Sequence, residues 1–304
     1  MAEHSHLTFL GLEKEFTSLE RARYVILPVP YEMTTSYGKG TKRGPRAILK
    51  ASEQVELFDD ELFQETYRAG IHTAPPLRFT GRDQKRHMQQ IARSVEKYLS
   101  QGKTVITLGG EHTITVGALE PFLACYPELT ILQVDAHGDL RDTYDGTPYS
   151  HASVMRRFVD RCRTVHVGIR SLCQEEASLI RERRLPVWFA RDLRREGWQE
   201  EVVDSLGDPV YFTLDVDGLD PSLIPSTGTP EPGGLGWYDI LGLLRALCAR
   251  RRVIGADVTE LSPQPGNHAP DFLVAKLVYR LIGYMEAFSC QLSASDPIGK
   301  HEKS

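Results

Sequence analysis

Three short stretches of the sequence place acidic and histidine side chains directly behind apolar, strand-like runs. The first, VDAHGDLRD (134–142), carries Asp135, His137 and Asp139 at every second position. Residues spaced in this way project to one side of an extended backbone. We therefore expect the three side chains to converge, provided that the strand runs slightly past Val134. Carboxylates and imidazoles that converge at one point are typical metal ligands.

Two further segments repeat this arrangement. VYFTLDVDGLDP (210–221) ends a strand-like run with Asp215 and Asp217, and VITLGGEHT (105–113) places His112 after a Gly-Gly turn, where a helix should begin. Four carboxylates clustered in a crevice of low dielectric repel one another, and either protonation or a cation must relieve that repulsion. Two divalent ions would balance four carboxylates. Oxygen-rich ligation with some imidazole favours Mn²⁺ over zinc.

Any one of these six residues could have a structural role instead. A single aspartate or histidine behind a strand often caps a helix or pairs with an arginine, as Asp139 could with Arg141. The six together favour a metal centre.

The elements that must position these residues are visible as an alternation of strand-like and helix-like segments. Nearly continuous apolar runs, typical of strands covered on both faces, span residues 24–29, 104–110, 129–134, 164–169, 185–190, 209–214 and 252–258. Helical spacing occurs over 45–51, 83–100, 112–125, 151–161, 174–184, 237–250 and 270–288. The alternation predicts one three-layer α/β/α domain with a mostly parallel sheet of roughly eight strands. Ligands bind at the carboxyl ends of such strands, where the three segments lie.

Composition excludes several classes of function. The 304 residues carry a net charge of −5 without a long run of either sign, which argues against a nucleic-acid partner. The apolar runs are too short or too charged to cross a bilayer, and the N-terminus lacks the pattern of a secretion signal. The five cysteines show no CxxC spacing and are expected to be free thiols. These features predict a cytoplasmic protein without a membrane partner.

The segments GGEHT, DAHGD and DVDGLDP resemble the three metal-binding signatures of the ureohydrolases, the arginase/agmatinase family, in the family's order. Residues 30–48, 226–235 and 257–263 are also similar to the family's N-terminal loop, substrate-side loop and last active-site strand. The resemblance covers nearly the whole chain. It implies a single arginase-like domain over residues 1–304, with 1–22 and 294–304 as peripheral tails, and a homo-oligomer, either a trimer or a hexamer.

The resemblance also assigns roles. It implies that two Mn²⁺ ions are bound by His112, Asp135, His137, Asp139, Asp215 and Asp217. It further implies that Glu260 binds the guanidinium group of the substrate and that His151 moves a proton. Structural alternatives are a surface ion pair for Glu260 and a helix N-terminal position for His151.

The chemistry of guanidinium hydrolysis is consistent with these roles. The guanidinium carbon is a poor electrophile, so attack at neutral pH requires hydroxide, and two metals that share a water lower the pKa of that water to about 7. Asp139 can both bind a metal and orient the hydroxide. A planar carboxylate such as Glu260 matches a planar cation. A histidine with an ordinary pKa of about 6.5 suits protonation of the leaving amine, which is the role implied for His151.

The substrate is less constrained. Arginases bind the amino-acid end of arginine through an asparagine two residues beyond DAHxD and a following serine, whereas this chain has Arg141 and no Ser-Gly-Asn pattern before the histidine. The similarity instead favours agmatine, hydrolysed to putrescine and urea in polyamine synthesis. The alternatives are N1-aminopropylagmatine, guanidinobutyrate, guanidine, arginine or formiminoglutamate. A mononuclear zinc deacetylase or a non-catalytic relative would retain fewer of the six ligands.

Two residues near the first segment bear on this choice. Arg141 would favour a carboxylated substrate if it pointed into the pocket, but we expect it to pair with Asp142 or Asp145. Gly138 is smaller than the usual residue at its position and is expected to widen the site.

Overall fold

The computed structural model describes residues 7–294, with side chains described through residue 289. Its strands are β1 (Tyr24–Val29), β2 (Ile71–Thr73), β3 (Thr104–Gly109), β4 (Thr130–Val134), β5 (Arg163–Ile169), β6 (Val187–Phe189), β7 (Val210–Asp215) and β8 (Val253–Thr259). Its α-helices are α1 (Lys14–Thr17), α2 (Gly44–Ser52), α3 (Gln84–Leu99), α4 (Ile114–Cys125), α5 (Gln174–Arg183), α6 (Trp198–Asp204), α7 (Trp237–Arg250) and α8 (Ala269–Ala294).

The strands form one sheet in the order β2-β1-β3-β8-β7-β4-β5-β6, and every pair of neighbours is parallel. Two hydrophobic clusters cover its faces. One includes residues of α2, α6, α7 and α8, and the other includes residues of α3 and α4. The predicted three-layer α/β/α arrangement is confirmed, and the sheet is entirely parallel. Within residues 7–294 no helix combines the length and apolar character needed to span a membrane.

Local sequence accounts for several helix boundaries. The predicted helix at 45–51 is α2, and Pro45 lies in its first turn, where backbone N–H groups have no intrahelical acceptor, so the absence of an N–H in proline costs no hydrogen bond. Asp83 precedes α3 and its side chain accepts a hydrogen bond from the backbone N–H of Arg86, which satisfies one of the free donors of the first turn.

The prediction of a helix over 151–161 was wrong. This segment forms two short 3₁₀ turns, His151–Ser153 and Met155–Arg157. Its backbone groups are used for contacts with the loop after β4 instead of for helical bonds, since Arg156 N–H donates to the carbonyl of Asp139 and the carbonyl of Ala152 accepts from Arg141 N–H. Competition from tertiary hydrogen bonds therefore overrides the helical spacing.

Three short elements had no clear signal in the sequence: strand β2, helix α6 and the turn Phe9–Gly11. Phe9 and Leu10 lie in the segment expected to be peripheral, yet they are buried in the core. The turn is held by Phe9 N–H, which donates to the hydroxyl of Thr73, and by Leu10 N–H, which donates to that of Ser52. The predicted C-terminal tail lies outside the described residues apart from residue 294.

Candidate metal centre

Four neighbouring strands of the sheet, β3, β8, β7 and β4, direct polar side chains from their carboxyl ends to one place. His112 follows β3, Asp135 directly follows β4, Asp215 is the last residue of β7 and Glu260 directly follows β8. The turn after β3 requires glycine at position 110, because a Cβ there would lie 1.9 Å from a backbone oxygen of the neighbouring loop. Sheet order thus brings together segments that are far apart in the chain.

Two groups of side chains share Asp135. In the first, Nδ1 of His112 lies 3.2 Å from Oδ2 of Asp135 and 3.0 Å from Oδ2 of Asp139. In the second, Nδ1 of His137 lies 3.6 Å from the other oxygen of Asp135 and 3.0 Å from Oδ2 of Asp217. Each group has the separation expected of ligands around one ion. Asp135 faces both groups.

Asp215 completes the set, with its Oδ2 3.6 Å from Nδ1 of His112. All six side chains predicted from the sequence therefore meet in one region. The cause differs from the one expected, because β4 ends at Val134 and the residues behind it do not continue the strand. Asp139 adopts a left-handed backbone conformation, with φ of 53°, which helps to turn its carboxylate back towards His112.

A buried hydrogen-bond chain fixes the orientation of His112. The hydroxyl of Thr213 donates to Oδ1 of Asp257 over 2.6 Å, and Nε2 of His112 lies 2.9 Å from that hydroxyl oxygen. Because the hydroxyl proton is directed to the carboxylate, Nε2 must be the protonated nitrogen of His112. In the neutral imidazole the lone pair is therefore on Nδ1, and among the described residues this fully buried atom has no hydrogen-bond partner. A metal-binding histidine has this arrangement.

A second series of hydrogen bonds supports Asp135. The side-chain amide of Gln133 donates to its Oδ2 over 2.8 Å, and the backbone N–H of His137 donates to its Oδ1 over 2.6 Å. The carbonyl of the same amide lies 2.5 Å from Nδ1 of His166. Burial lowers the pKa of His166 to about 4, so this histidine is neutral and can support the amide without adding charge.

The electrostatics of the centre favour cations. Burial, reinforced by Asp217 and Asp135, raises the pKa of Asp215 well above its usual range. Burial and the charge of Asp135 likewise raise the pKa of Asp139 to about 7. Burial alone would lower the pKa of His137, but its contacts with Asp135 and Asp217 raise it to about 12. A site that raises histidine pKa values so far attracts positive charge, and its donors fit two divalent ions.

A cavity of about 300 Å³ opens onto the centre. His137, Asp139, Asp217 and Glu260 line it. Glu260 has a φ of 65°, a strained conformation for a glutamate, and Oε1 of its carboxylate accepts the backbone N–H of His112 over 2.7 Å. That contact fixes one carboxylate oxygen of Glu260 beside the backbone of His112.

His151 lies on the wall of the same cavity. Its Nδ1 is 3.1 Å from the hydroxyl of Thr34, and the ring of Tyr144 contacts the imidazole edge-on at 5.4 Å between centroids. Burial lowers the pKa of His151. The imidazole is consequently neutral near pH 7 and able to accept a proton.

Two expectations about the first segment were wrong. Arg141 forms no ion pair with Asp142 or Asp145 among the described residues. Its guanidinium lies over the ring of Tyr144 and lines the cavity, while Asp142 pairs with Arg157. Gly138 does not widen the site, because a Cβ there would lie 2.7 Å from a methyl group of a neighbouring leucine that fills the space.

Several supporting residues were missed from the sequence. Thr213 and Asp257 lie opposite each other in the register of β7 and β8, and both are polar residues within apolar runs. Polar residues at buried strand positions must have hydrogen-bond partners. Their presence in apolar runs could therefore have predicted a buried hydrogen bond. Thr34, which contacts His151, and Glu111, which contacts Thr34, had no signal of this kind.

A model of the Arginase family matches residues 22–283. A protein of Synechocystis named N(1)-aminopropylagmatine ureohydrolase is 40% identical over 300 residues, covering 92% of this chain and 97% of its own length. A protein of Pyrococcus horikoshii named agmatinase is 31% identical, covering 90% and 95%. The crystal structure of agmatine ureohydrolase of Thermoplasma volcanium superposes with a TM-score of 0.83 at 32% identity, covering 90% and 94%.

Proposed function

The chain belongs to the arginase family of guanidino hydrolases, and from that premise we propose that it hydrolyses N1-aminopropylagmatine to urea and the corresponding triamine. The observation that carries this proposal is the pair of ligand groups that share Asp135 beside a carboxylate-lined cavity. Arginase-family hydrolases have a binuclear metal centre. We assign two Mn²⁺ ions here to the six side chains His112, Asp135, His137, Asp139, Asp215 and Asp217.

The two groups divide the ligands between the ions. His112, Asp139 and Asp215 would hold one ion, His137 and Asp217 the other, with Asp135 between them. Bound there, the metal pair would supply hydroxide at neutral pH by lowering the pKa of water. Asp139 also faces the cavity, where its carboxylate can accept a hydrogen bond from the nucleophile and orient it.

Glu260 is the residue proposed to bind the guanidinium group. Its carboxylate is buried and lines the cavity, and among the described residues one of its oxygens accepts a hydrogen bond, from the N–H of His112. A guanidinium presents several N–H donors in a plane, and an ionised carboxylate accepts them with strong charge-assisted bonds. Glu260 would thereby hold the reactive carbon beside the metal centre.

His151 is proposed to move the proton. Hydrolysis expels an amine, and an amine leaves the tetrahedral carbon only after its nitrogen is protonated. His151 lies on the cavity wall with Asp139 and can accept a proton from the attacking water and return it to the departing nitrogen.

The relatives and the residues of the cavity support the choice of substrate. Our first interpretation of the sequence, agmatine, is less well supported than N1-aminopropylagmatine, for which the Synechocystis relative is named. The longer substrate has two further amino groups beyond the guanidinium. Glu231 lines the cavity, and among the described residues its carboxylate has neither an ion pair nor a hydrogen bond. An unpaired carboxylate in this position is suited to an ammonium group of a polyamine.

Arg141 favours a second candidate, a carboxylated guanidino compound such as guanidinobutyrate. Its guanidinium lines the cavity without an acidic partner among the described residues. A carboxylate at the far end of the substrate would pair with Arg141, whereas an ammonium group would be repelled by it.

A substrate panel tests both candidates. Urea release is measured with Mn²⁺ for N1-aminopropylagmatine, agmatine, guanidinobutyrate, arginine and guanidine. We expect the highest kcat/KM with N1-aminopropylagmatine, lowered in Glu231→Gln and not in Arg141→Gln. Preference for guanidinobutyrate, lost in Arg141→Gln, would establish the second candidate. An absence of urea from every compound would refute guanidino hydrolysis.

The identity of the metal and the assembly stay predictions. Metal analysis of the purified protein should give two Mn per chain, in contrast to one Zn for a deacetylase-like centre. Sedimentation should show a trimer or a hexamer.

A further inference from the structure

A hydrogen-bonded chain lies behind His151 and ends at a buried carboxylate that binds nothing in the cavity. Oγ1 of Thr34 is 3.1 Å from Nδ1 of His151 and 2.9 Å from Oε1 of Glu111. The same oxygen accepts the backbone N–H of His151 over 3.2 Å. Glu111 is fully buried and does not line the cavity, so its role must be exerted through the groups that it contacts.

Glu111 is surrounded by donors. The backbone N–H groups of Met33 and Thr34 point to its Oε2, the latter over 2.7 Å. The hydroxyl of Thr113 donates to Oε1 over 2.7 Å. Backbone N–H groups can only donate, so Oε2 of Glu111 accepts two hydrogen bonds, while the hydroxyls of Thr34 and Thr113 both lie within donating distance of Oε1.

These contacts determine where the protons lie in the hydrogen bonds between Glu111, Thr34 and His151. Thr34 has one hydroxyl proton and three neighbouring atoms that could accept it: Oε1 of Glu111 at 2.9 Å, Nδ1 of His151 at 3.1 Å and Oγ1 of Thr113 at 3.5 Å. The carboxylate oxygen is the nearest of the three and the strongest acceptor. The oxygen of Thr34 must then accept from His151, so Nδ1 of His151 carries a hydrogen. The lone pair of the neutral imidazole is consequently on Nε2.

We infer that Thr34, backed by Glu111, is a positioning residue that fixes the tautomer of His151 and presents Nε2 as its proton-transfer atom. This inference rests on the proposed function for the role of His151. Nε2 takes the proton that the attacking water releases and gives it to the amine nitrogen as the C–N bond breaks and that nitrogen keeps the electron pair. While the imidazole is charged, Nδ1–H remains bonded to Thr34 and the carboxylate of Glu111 lies one hydrogen bond further away.

Matched substitutions at Thr34 separate positioning from packing. Thr34→Val keeps the branched shape and the backbone N–H but removes the hydroxyl, while Thr34→Ser keeps the hydroxyl. We expect Thr34→Val to lower kcat by about 10- to 100-fold, the usual effect of removing a partner that orients an active-site group. KM and bound metal should be unchanged, and Thr34→Ser should restore most of kcat. Wild-type kcat in Thr34→Val, equal losses in both variants, or loss of metal would overturn the inference.

A double mutant shows whether Thr34 acts through His151. In the His151→Ala background the positioning role no longer exists, so adding Thr34→Val should leave kcat unchanged. An equal fold-loss in both backgrounds would show that Thr34 acts independently of His151, contrary to the inference.

A spectroscopic measurement needs no turnover. With ¹⁵N-histidine and Zn²⁺ in place of paramagnetic Mn²⁺, the His151 signals, assigned by their absence in His151→Ala, should show a protonated Nδ1 and an unprotonated Nε2. Thr34→Val should convert them to a mixture of tautomers. A protonated Nε2 in the wild-type protein would contradict the inference even if urea release confirms the proposed function, and absence of urea release would refute that function while leaving this measurement valid.

Discussion

Among the described residues, the metal centre and a second cluster of buried charge differ in the source of their positive charge. On α8, the buried guanidinium of Arg280 pairs with the buried carboxylate of Asp59 and with the more exposed Asp60 and Glu61. We call this set the Arg280 cluster. At the metal centre, four buried carboxylates contact two histidines, and no lysine or arginine among the described residues forms an ion pair with them.

The difference separates a structural cluster from a functional one. In the Arg280 cluster the protein supplies the cation itself, and Oδ1 of Asp59 additionally accepts the backbone N–H groups of Glu61 and Leu62. The buried carboxylate of Asp59 is therefore paired with a cation that the protein itself provides. At the metal centre no lysine or arginine of the described residues forms an ion pair with the carboxylates, so they are available to ions and to a guanidinium substrate.

The largest effect is expected from Asp135→Asn, because Asp135 faces both ligand groups. The variant should lose most bound Mn and lower urea release by about 1000-fold or more, since metal activation of water is worth several kcal/mol. Metal analysis and urea assays measure both effects. Asp59→Asn, in the Arg280 cluster, is the matched control. This variant should still bind Mn at the metal centre. Full metal occupancy in Asp135→Asn would contradict the shared-ligand assignment.

Arg280→Met removes the cation of the Arg280 cluster. Removing the guanidinium leaves Asp59 buried without its partner, which should cost about 3–5 kcal/mol of the free energy of unfolding. Denaturant unfolding measures this loss, while kcat/KM of the folded enzyme should stay at the wild-type value. Arg245→Met is the control, because Arg245 is exposed and contacts Glu61 only at the surface. A fall in bound metal would show that the two clusters are not independent.

Glu260→Gln tests the part of the centre that is proposed to bind substrate and not metal. The neutral amide keeps the shape of the side chain but loses the charge-assisted bonds to the guanidinium, so kcat/KM should fall by about 100-fold. Metal content should match the wild type. If Mn is lost instead, Glu260 supports the ligands through His112 and its assigned role is incorrect.

The smallest single step is the effect of one pH unit on the affinity for Mn²⁺. In the metal-free protein the pKa of His137 is raised to about 12 and that of Asp139 to about 7, so at neutral pH Mn²⁺ must displace protons. Affinity should therefore fall as pH decreases, by about tenfold per pH unit for each displaced proton. Calorimetric titrations with Mn²⁺ between pH 6.5 and 8.5 measure the slope. A pH-independent affinity would mean that the ligands are already deprotonated.

Much of the fold could be predicted because parallel strands buried on both faces are nearly continuous apolar runs. The seven longer runs correspond to β1, β3 to β8, and the alternation with helices specifies a parallel sheet. The short strand β2 and the short helix α6 were missed. A periodic pattern of apolar residues cannot be recognised in so few residues. The helix predicted at 151–161 failed because its backbone groups bond to the loop of Asp139.

The sequence by itself determined which side chains could bind metal, since six carboxylates and imidazoles behind strand-like runs are chemically suited to little else. Only the tertiary structure decided how these side chains are divided between the two ligand groups. The neighbouring order of β3, β8, β7 and β4 makes Asp135 face both groups, and the turn at Asp139 directs its carboxylate to His112. Strand order and the left-handed turn depend on packing across the whole sheet, and no local stretch of residues encodes either of them.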